Sequence, residues 1–161
     1  MSSRIFILGF LLAATLFGCD DTRIYETNVE LPNQLWIHDS LLYFDFEIDK
    51  SKQQYNLLAN IQYANDFSYR NLYLTCVLYD STGQVLDKSL INALLFSDKL
   101  GKPLGSSAIG DIYELQFPIL SKYQFPNRGR YRLSLQQYMR IDSLYNLRSI
   151  GLRVEHAVTD Q

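Results

Sequence analysis

Apolar and polar residues alternate with a period of two through most of this chain. In Leu42-Tyr43-Phe44-Asp45-Phe46-Glu47-Ile48-Asp49 the even positions are apolar, while Asp45, Glu47 and Asp49 face the other way, as in a half-buried strand. Tyr55, Leu57, Ala59, Ile61 and Tyr63 alternate with Asn56, Asn60 and Gln62 in a second strand. Leu72 to Tyr79 is a nearly continuous apolar run of β-formers, and Asp80-Ser81-Thr82-Gly83 turns it into Val85 to Phe96, which predicts a hairpin. Residues 97–110 carry Gly101, Gly105, Gly110 and Pro103 and read as a long loop. Tyr113, Leu115, Phe117 and Ile119 alternate with Glu114, Gln116 and Pro118. Tyr131, Leu133, Leu135, Gln137 and Met139 likewise alternate with Arg130, Arg132, Ser134 and Gln136. Asp142 to Leu147 reads as one helical turn, and Ile150, Leu152 and Val154 mark a last strand. No stretch sustains a helical period. Seven or eight strands with polar turns predict an all-β fold, an antiparallel β-sandwich, with a barrel as the alternative.

The amino terminus breaks the pattern. Ile5 to Phe17 is apolar except for Gly9 and Thr15, follows Arg4, and stops before Asp20 and Asp21. That is the layout of an export signal and too short for a spanning helix, which needs about 20 apolar residues. Leu16-Phe17-Gly18-Cys19 resembles the bacterial lipobox, in which a small residue precedes a cysteine that is diacylated before cleavage. Cys19 is then the lipid attachment site and the first residue of the mature protein, and its acyl chains exceed what stable membrane binding requires. The expected organisation is a signal peptide over 1–18, a lipidated terminus and tether over 19–34 holding one short strand around Ile24 to Leu31, and a sandwich domain over 35–161.

Composition agrees with one packed domain: 161 residues, 47% hydrophobic, with 12 Tyr and 9 Phe. The formal charge is −2, and discarding residues 1–18 removes Arg4 and no acid, so nothing draws the protein to nucleic acid. With Cys19 lipidated, Cys76 has no disulfide partner and reads as a small buried thiol.

Candidate chemistry is sparse. Gly105-Ser106-Ser107-Ala108-Ile109 lacks the last glycine of a hydrolase elbow, and Gly101-Lys102 lacks the upstream glycine of a phosphate loop. His38 and His156 are far apart and have no His or Cys neighbour at metal-ligand spacing, so they read as surface or edge residues, with no metal or cofactor. Asp45, Glu47 and Asp49 could line one face as oxygen ligands for calcium, but a solvated acidic face is the simpler reading, and no second group completes a glycosidase pair. Arg130, Arg132, Tyr138 and Arg140 share one parity: a solvent-facing strand whose arginines pair with neighbouring carboxylates is the simpler reading, and a basic and aromatic stripe suited to an acidic or sugar ligand or to a protein partner is the other. Gln137 falls on the core-facing parity, where it must find hydrogen-bond partners, and so is expected to tie its strand to a loop.

Gly129-Arg130-Tyr131, Gln137 to Leu144 and Gly151-Leu152-Arg153-Val154-Glu155 resemble the carboxy-terminal signature of the gliding-motility lipoprotein GldH family of Bacteroidetes. Phe67 to Leu74 and Asp98 to Ile112 agree with it, as does the lipobox, while Pro103 departs from a family pattern that commonly has tryptophan there. The resemblance implies a non-catalytic cell-envelope lipoprotein needed for surface gliding, a process coupled to type IX secretion, with protein partners in that machinery. A carbohydrate-binding envelope lipoprotein is the alternative. Acids directly after the cysteine, here Asp20 and Asp21, resemble surface-export signals of Bacteroidetes lipoproteins, whereas aspartate beside the cysteine marks inner-membrane retention in enteric bacteria. The outer membrane is the expected location, on its periplasmic or surface face.

Overall fold

The computed structural model describes residues 20–98 and 101–158. The signal segment 1–18 and Cys19 lie outside them. Eleven strands follow one another: β1 (Arg23–Glu30), β2 (Leu35–Ile37), β3 (Leu42–Ile48), β4 (Gln54–Ala64), β5 (Asn71–Tyr79), β6 (Val85–Leu94), β7 (Ser106–Ser107), β8 (Ile112–Gln124), β9 (Gly129–Gln137), β10 (Ser143–Tyr145) and β11 (Leu147–His156). Three of these span only two or three residues, which leaves eight long strands. A five-stranded sheet runs β1-β11-β4-β8-β7, a four-stranded sheet runs β3-β9-β5-β6, and β10 and β2 form a separate pair. All the pairings are antiparallel. The two larger sheets face one another as a sandwich.

Alternation dictates the packing. β3 buries Leu42, Phe44, Phe46 and Ile48 and exposes Tyr43, Asp45 and Glu47. The same rule turns Leu57, Ala59 and Ile61 of β4, Leu74 and Leu78 of β5, and Leu133 and Leu135 of β9 into one apolar layer. At one end the layer is aromatic: Phe125 lies 4.5 Å from Tyr131, 4.9 Å from Tyr123 and 5.6 Å from Tyr55, ring centre to ring centre. Among the described residues no helix is long and apolar enough to cross a membrane.

Three expectations change. The segment read as a tether belongs to the sheet: Arg23–Glu30 is β1, hydrogen-bonded along β11, and it covers the short strand foreseen there. Its sequence looks like a spacer because an edge strand with a polar outer row needs few apolar residues. Residues 142–147 form no helical turn. Leu144 is fully buried opposite Trp36 in the β2–β10 pair, and the left-handed Asn146, φ 66°, bends the chain into β11. Finally β9 ends at Gln137, so the parity that linked Arg130 and Arg132 to Tyr138 and Arg140 on one strand breaks before Tyr138. The Gln137 side chain ends it by bonding the Ile141 carbonyl and the Met139 amide.

Strand direction gives the molecule two poles. The start of β1 and the ends of β3, β5, β8 and β11 share one end, where the His156 amide donates to the Thr22 carbonyl and the Ala157 amide to the Gln54 carbonyl. The end of β1, the starts of β3, β5 and β8, the β2–β10 pair and the loop before β7 form the opposite, distal end.

Candidate interaction surface

Arg130 and Arg132 project from the outer face of β9, opposite Glu47 and Asp45 on β3. Arg132 meets Asp45 with two hydrogen bonds, Nε to Oδ1 at 2.6 Å and Nη2 to Oδ2 at 2.8 Å, and lies 5.3 Å from the centre of the Tyr43 ring. The Arg132 hydrogen bond, followed by the charge of Arg132 and then Arg130, holds the Asp45 carboxyl below its ordinary range. Both partners are more than half exposed, so water screens the pair and it adds little to stability. Together with Tyr25, Tyr79 and the β5–β6 turn they line an open cleft of about 1010 Å³. The guanidinium and ring that would grip a sugar there already hold each other. Asp45 is likewise turned to Arg132, and Asp49 lies beyond the end of β3, so the acidic row does not converge.

Tyr138 and Arg140 stand elsewhere. Six residues of strand separate Arg132 from Tyr138, about 20 Å. Tyr138 is exposed, its amide bonded to the Tyr73 carbonyl, and Arg140 is in the loop that leads to β10. The predicted stripe is therefore two separate patches.

A charged centre that sequence reasoning missed sits at the start of β1. Arg153 of β11, its side chain 15% exposed, contacts Asp20 at 2.5 Å, Glu155 at 2.7 Å and Glu26 at 3.3 Å. A hydrogen bond from Thr22 and then one from Arg153 draw the Asp20 carboxyl down to about 2. Beside it the buried Asn60 donates to Glu26 at 2.9 Å and accepts from Gln116 at 2.8 Å, so the outer face of the large sheet is laced from β1 across to β8. The available signal was Arg153 with Glu155 on the polar parity of an otherwise apolar strand. Nothing in the linear order announces that Asp20 and Glu26 come to meet them.

The distal end differs in kind. The Tyr63 hydroxyl, buried in the core, donates to the Leu95 carbonyl at 2.7 Å and accepts from the Gly105 amide at 3.1 Å, pinning both ends of the loop that follows β6. On and around it Ile37, Leu41, Leu104, Ile109, Tyr138 and Tyr145 are 42% to 74% exposed. Among the described residues, Val85 and Val158 are the large apolar side chains exposed at the opposite pole.

The other candidates settle quietly. Cys76 is buried, and burial pushes its thiol up to about 12, which leaves it unreactive. His38 follows β2 at one pole and His156 ends β11 at the other. Among the described residues no group of three His, Cys, Asp or Glu side chains is placed to hold a metal ion.

The chain is thus a two-sheet antiparallel sandwich with a charged clamp at one pole and apolar side chains bared at the other. The family of GldH lipoproteins matches residues 23–154, and the chain belongs to that family of lipid-anchored cell-envelope proteins. It is 28% identical over 166 aligned positions to the gliding motility lipoprotein GldH homolog of Christiangramia forsetii, covering 96% of this chain and 98% of that one. With the gliding motility lipoprotein GldH of Flavobacterium johnsoniae the identity is 26%, covering 94% and 98%. Among solved structures the VP2 subviral particle of infectious bursal disease virus gives a TM-score of 0.37 at 10% identity, covering 85% of this chain and 31% of that one. The accessory secretory protein 1, 2 and 3 structure of Streptococcus pneumoniae gives 0.33 at 11%, covering 86% and 91%.

Proposed function

We propose that this protein is a non-catalytic envelope lipoprotein, anchored through lipid on Cys19 in the outer membrane, that supports gliding and the type IX secretion linked to it by binding a protein partner at its distal pole. The observation that carries this reading is the opposition of the two poles. Asp20, the neighbour of Cys19, is held by Arg153 at one end, and the bared Ile37, Leu104, Ile109 and Tyr145 crowd the other. Isolated exposed apolar residues are ordinary, but their concentration at one end is what a contact surface needs. The names of the curated relatives support the gliding assignment.

Deleting the gene and complementing it tests the proposal. Loss of colony spreading and of protein export is expected, with rescue by the natural chain. The double variant Ile37→Asp and Tyr145→Asp should fold, with an unchanged melting temperature, and restore neither trait. Normal spreading and export in the deletion strain, or full rescue by the folded double variant, would refute it.

A further inference from the structure

A sandwich has open sheet edges, and each is a row of unpaired backbone groups that a foreign strand can join unless something defends it. In this molecule three edges are defended. β1 carries Arg23, Glu26 and Glu30, β3 carries Asp45 and Glu47, and β8 has Pro118, a left-handed Lys122 at φ 53°, interrupted register and the short β7 alongside. The fourth edge, β6, confines its charges, Asp87 and Lys88, and its one register shift to its first four residues, so that residues 89–94 run uncharged and in unbroken register. Its ten residues, Val85–Leu94, contain no glycine or proline, and they pair with β5 from Leu94 to Asp87 without a break.

The side of the sandwich beneath that edge is open too. β1 and β3 contact each other at one flank, so the sheet orders bring β6 and β8 together at the other. There the inward residues Ile91, Leu115, Phe117 and Leu120 are only partly buried against the core. Ser89 Oγ, on the same inner parity, is buried without a hydrogen-bond partner. On the outer parity Leu90 is 57% exposed and Lys88 has no ion-pair partner among the described residues.

We propose that β6 is a docking edge for an extended segment of a partner protein, which adds as a fifth strand beside it with an acidic residue opposite Lys88 and apolar residues opposite Leu90 and Leu94. Backbone bonds to β6 would supply affinity, and the Lys88 and Leu90 positions would supply selectivity. A second copy of this chain is the wrong occupant. Two β6 strands paired about a two-fold axis run antiparallel, which turns one molecule upside down and lifts its Asp20 pole away from the membrane. That exclusion rests on the anchor reading above; the edge itself does not.

The test uses the full chain extracted in detergent and a capped ten-residue probe peptide that alternates threonine and valine around one central glutamate. Amide hydrogen exchange should slow by about tenfold or more over Val85–Leu94 at saturating peptide, with β1 and β3 unchanged. A peptide with lysine in place of the glutamate should bind about two- to fivefold more weakly, and Lys88→Glu should reverse that preference. No slowing over β6, equal slowing along β1 and β3, indifference to the charge swap, or a dimer sealed through β6 would each overturn the proposal. Because the readout is local and in solution, it can fail while the gliding assignment stands, and the reverse holds as well.

Discussion

Gly151 shows how one residue decides whether two strands can meet. It faces Asn28 across the β1–β11 ladder, and a Cβ there would stand 1.8 Å from Asn28 Oδ1 and 2.8 Å from the Thr27 carbonyl oxygen. The first neighbour is a side chain that can swing away, whereas the second is backbone. Gly151→Ala should therefore cost about 1 to 3 kcal/mol, read as a lower urea midpoint with an unchanged slope. Asn28→Gly in the same chain should recover only part of the loss. At this scale the sequence was partly legible. Parity placed Gln137 on the inner face and gave it its loop-tying bonds, and the apolar run over 72–79 gave Cys76 its burial, because both follow from local pattern alone. Arg132 was foreseen as exposed, but its partner Asp45 stands 87 residues away, and no local pattern joins two strands so far apart.

Among the elements, the strands with strict alternation were the readable ones, β3 above all, with its buried and exposed residues in perfect turn. The two- and three-residue strands were not. β2 and β10 exist because Trp36 and Leu144 need each other's cover, a tertiary cause with no local trace. β1 was half legible: its strand was foreseen, its incorporation into the sheet was not, since that depends on Arg153. Arg153→Ala should free the exposed Asp20 and the partly buried Glu26 and weaken the joint between β1 and β11, read as a lower urea midpoint with an unchanged slope. Amide exchange should quicken first over Tyr25–Glu30 and last in β4 and β5. Acid should loosen the same joint. The Asp20 carboxyl is depressed from 3.8 to about 2, so its contribution is complete above pH 3.8 and fades as the pH falls through about 2. Protection of the first β1 amides, followed through that window, should fall in the natural chain and fall by less in Arg153→Ala, where the Thr22 hydrogen bond alone still lowers the Asp20 carboxyl.

For the whole molecule, period-two patterning led to the right class, and eight long strands answer to the seven or eight foreseen. Which strand lies beside which was beyond it. The chain passes from one large sheet to the other between β1 and β3, β3 and β4, β4 and β5, β6 and β7, β8 and β9, and β9 and β11. The apolar pole gathers side chains from positions 37 to 145, and the stripe over 130 to 140 divides because β9 stops where a loop begins. Such gatherings are products of topology rather than of any window of sequence.

The joint between β1 and β11 also has a mechanical meaning. Under the proposed anchoring, a load on the distal pole pulls β1 along its own axis, so the bonds to β11, which lie across that axis, resist together in shear. Asp20 and Val158, by contrast, lie at the same end, and drawing them apart would open that ladder one rung at a time. Single-molecule extension between residues 20 and 145 should therefore need a markedly higher force than extension between residues 20 and 158, and equal forces would count against it. If the lipid is carried at Cys19 as proposed, a load on this body would reach its membrane with little slack, because Arg23–Glu30 is itself a stave of the sheet.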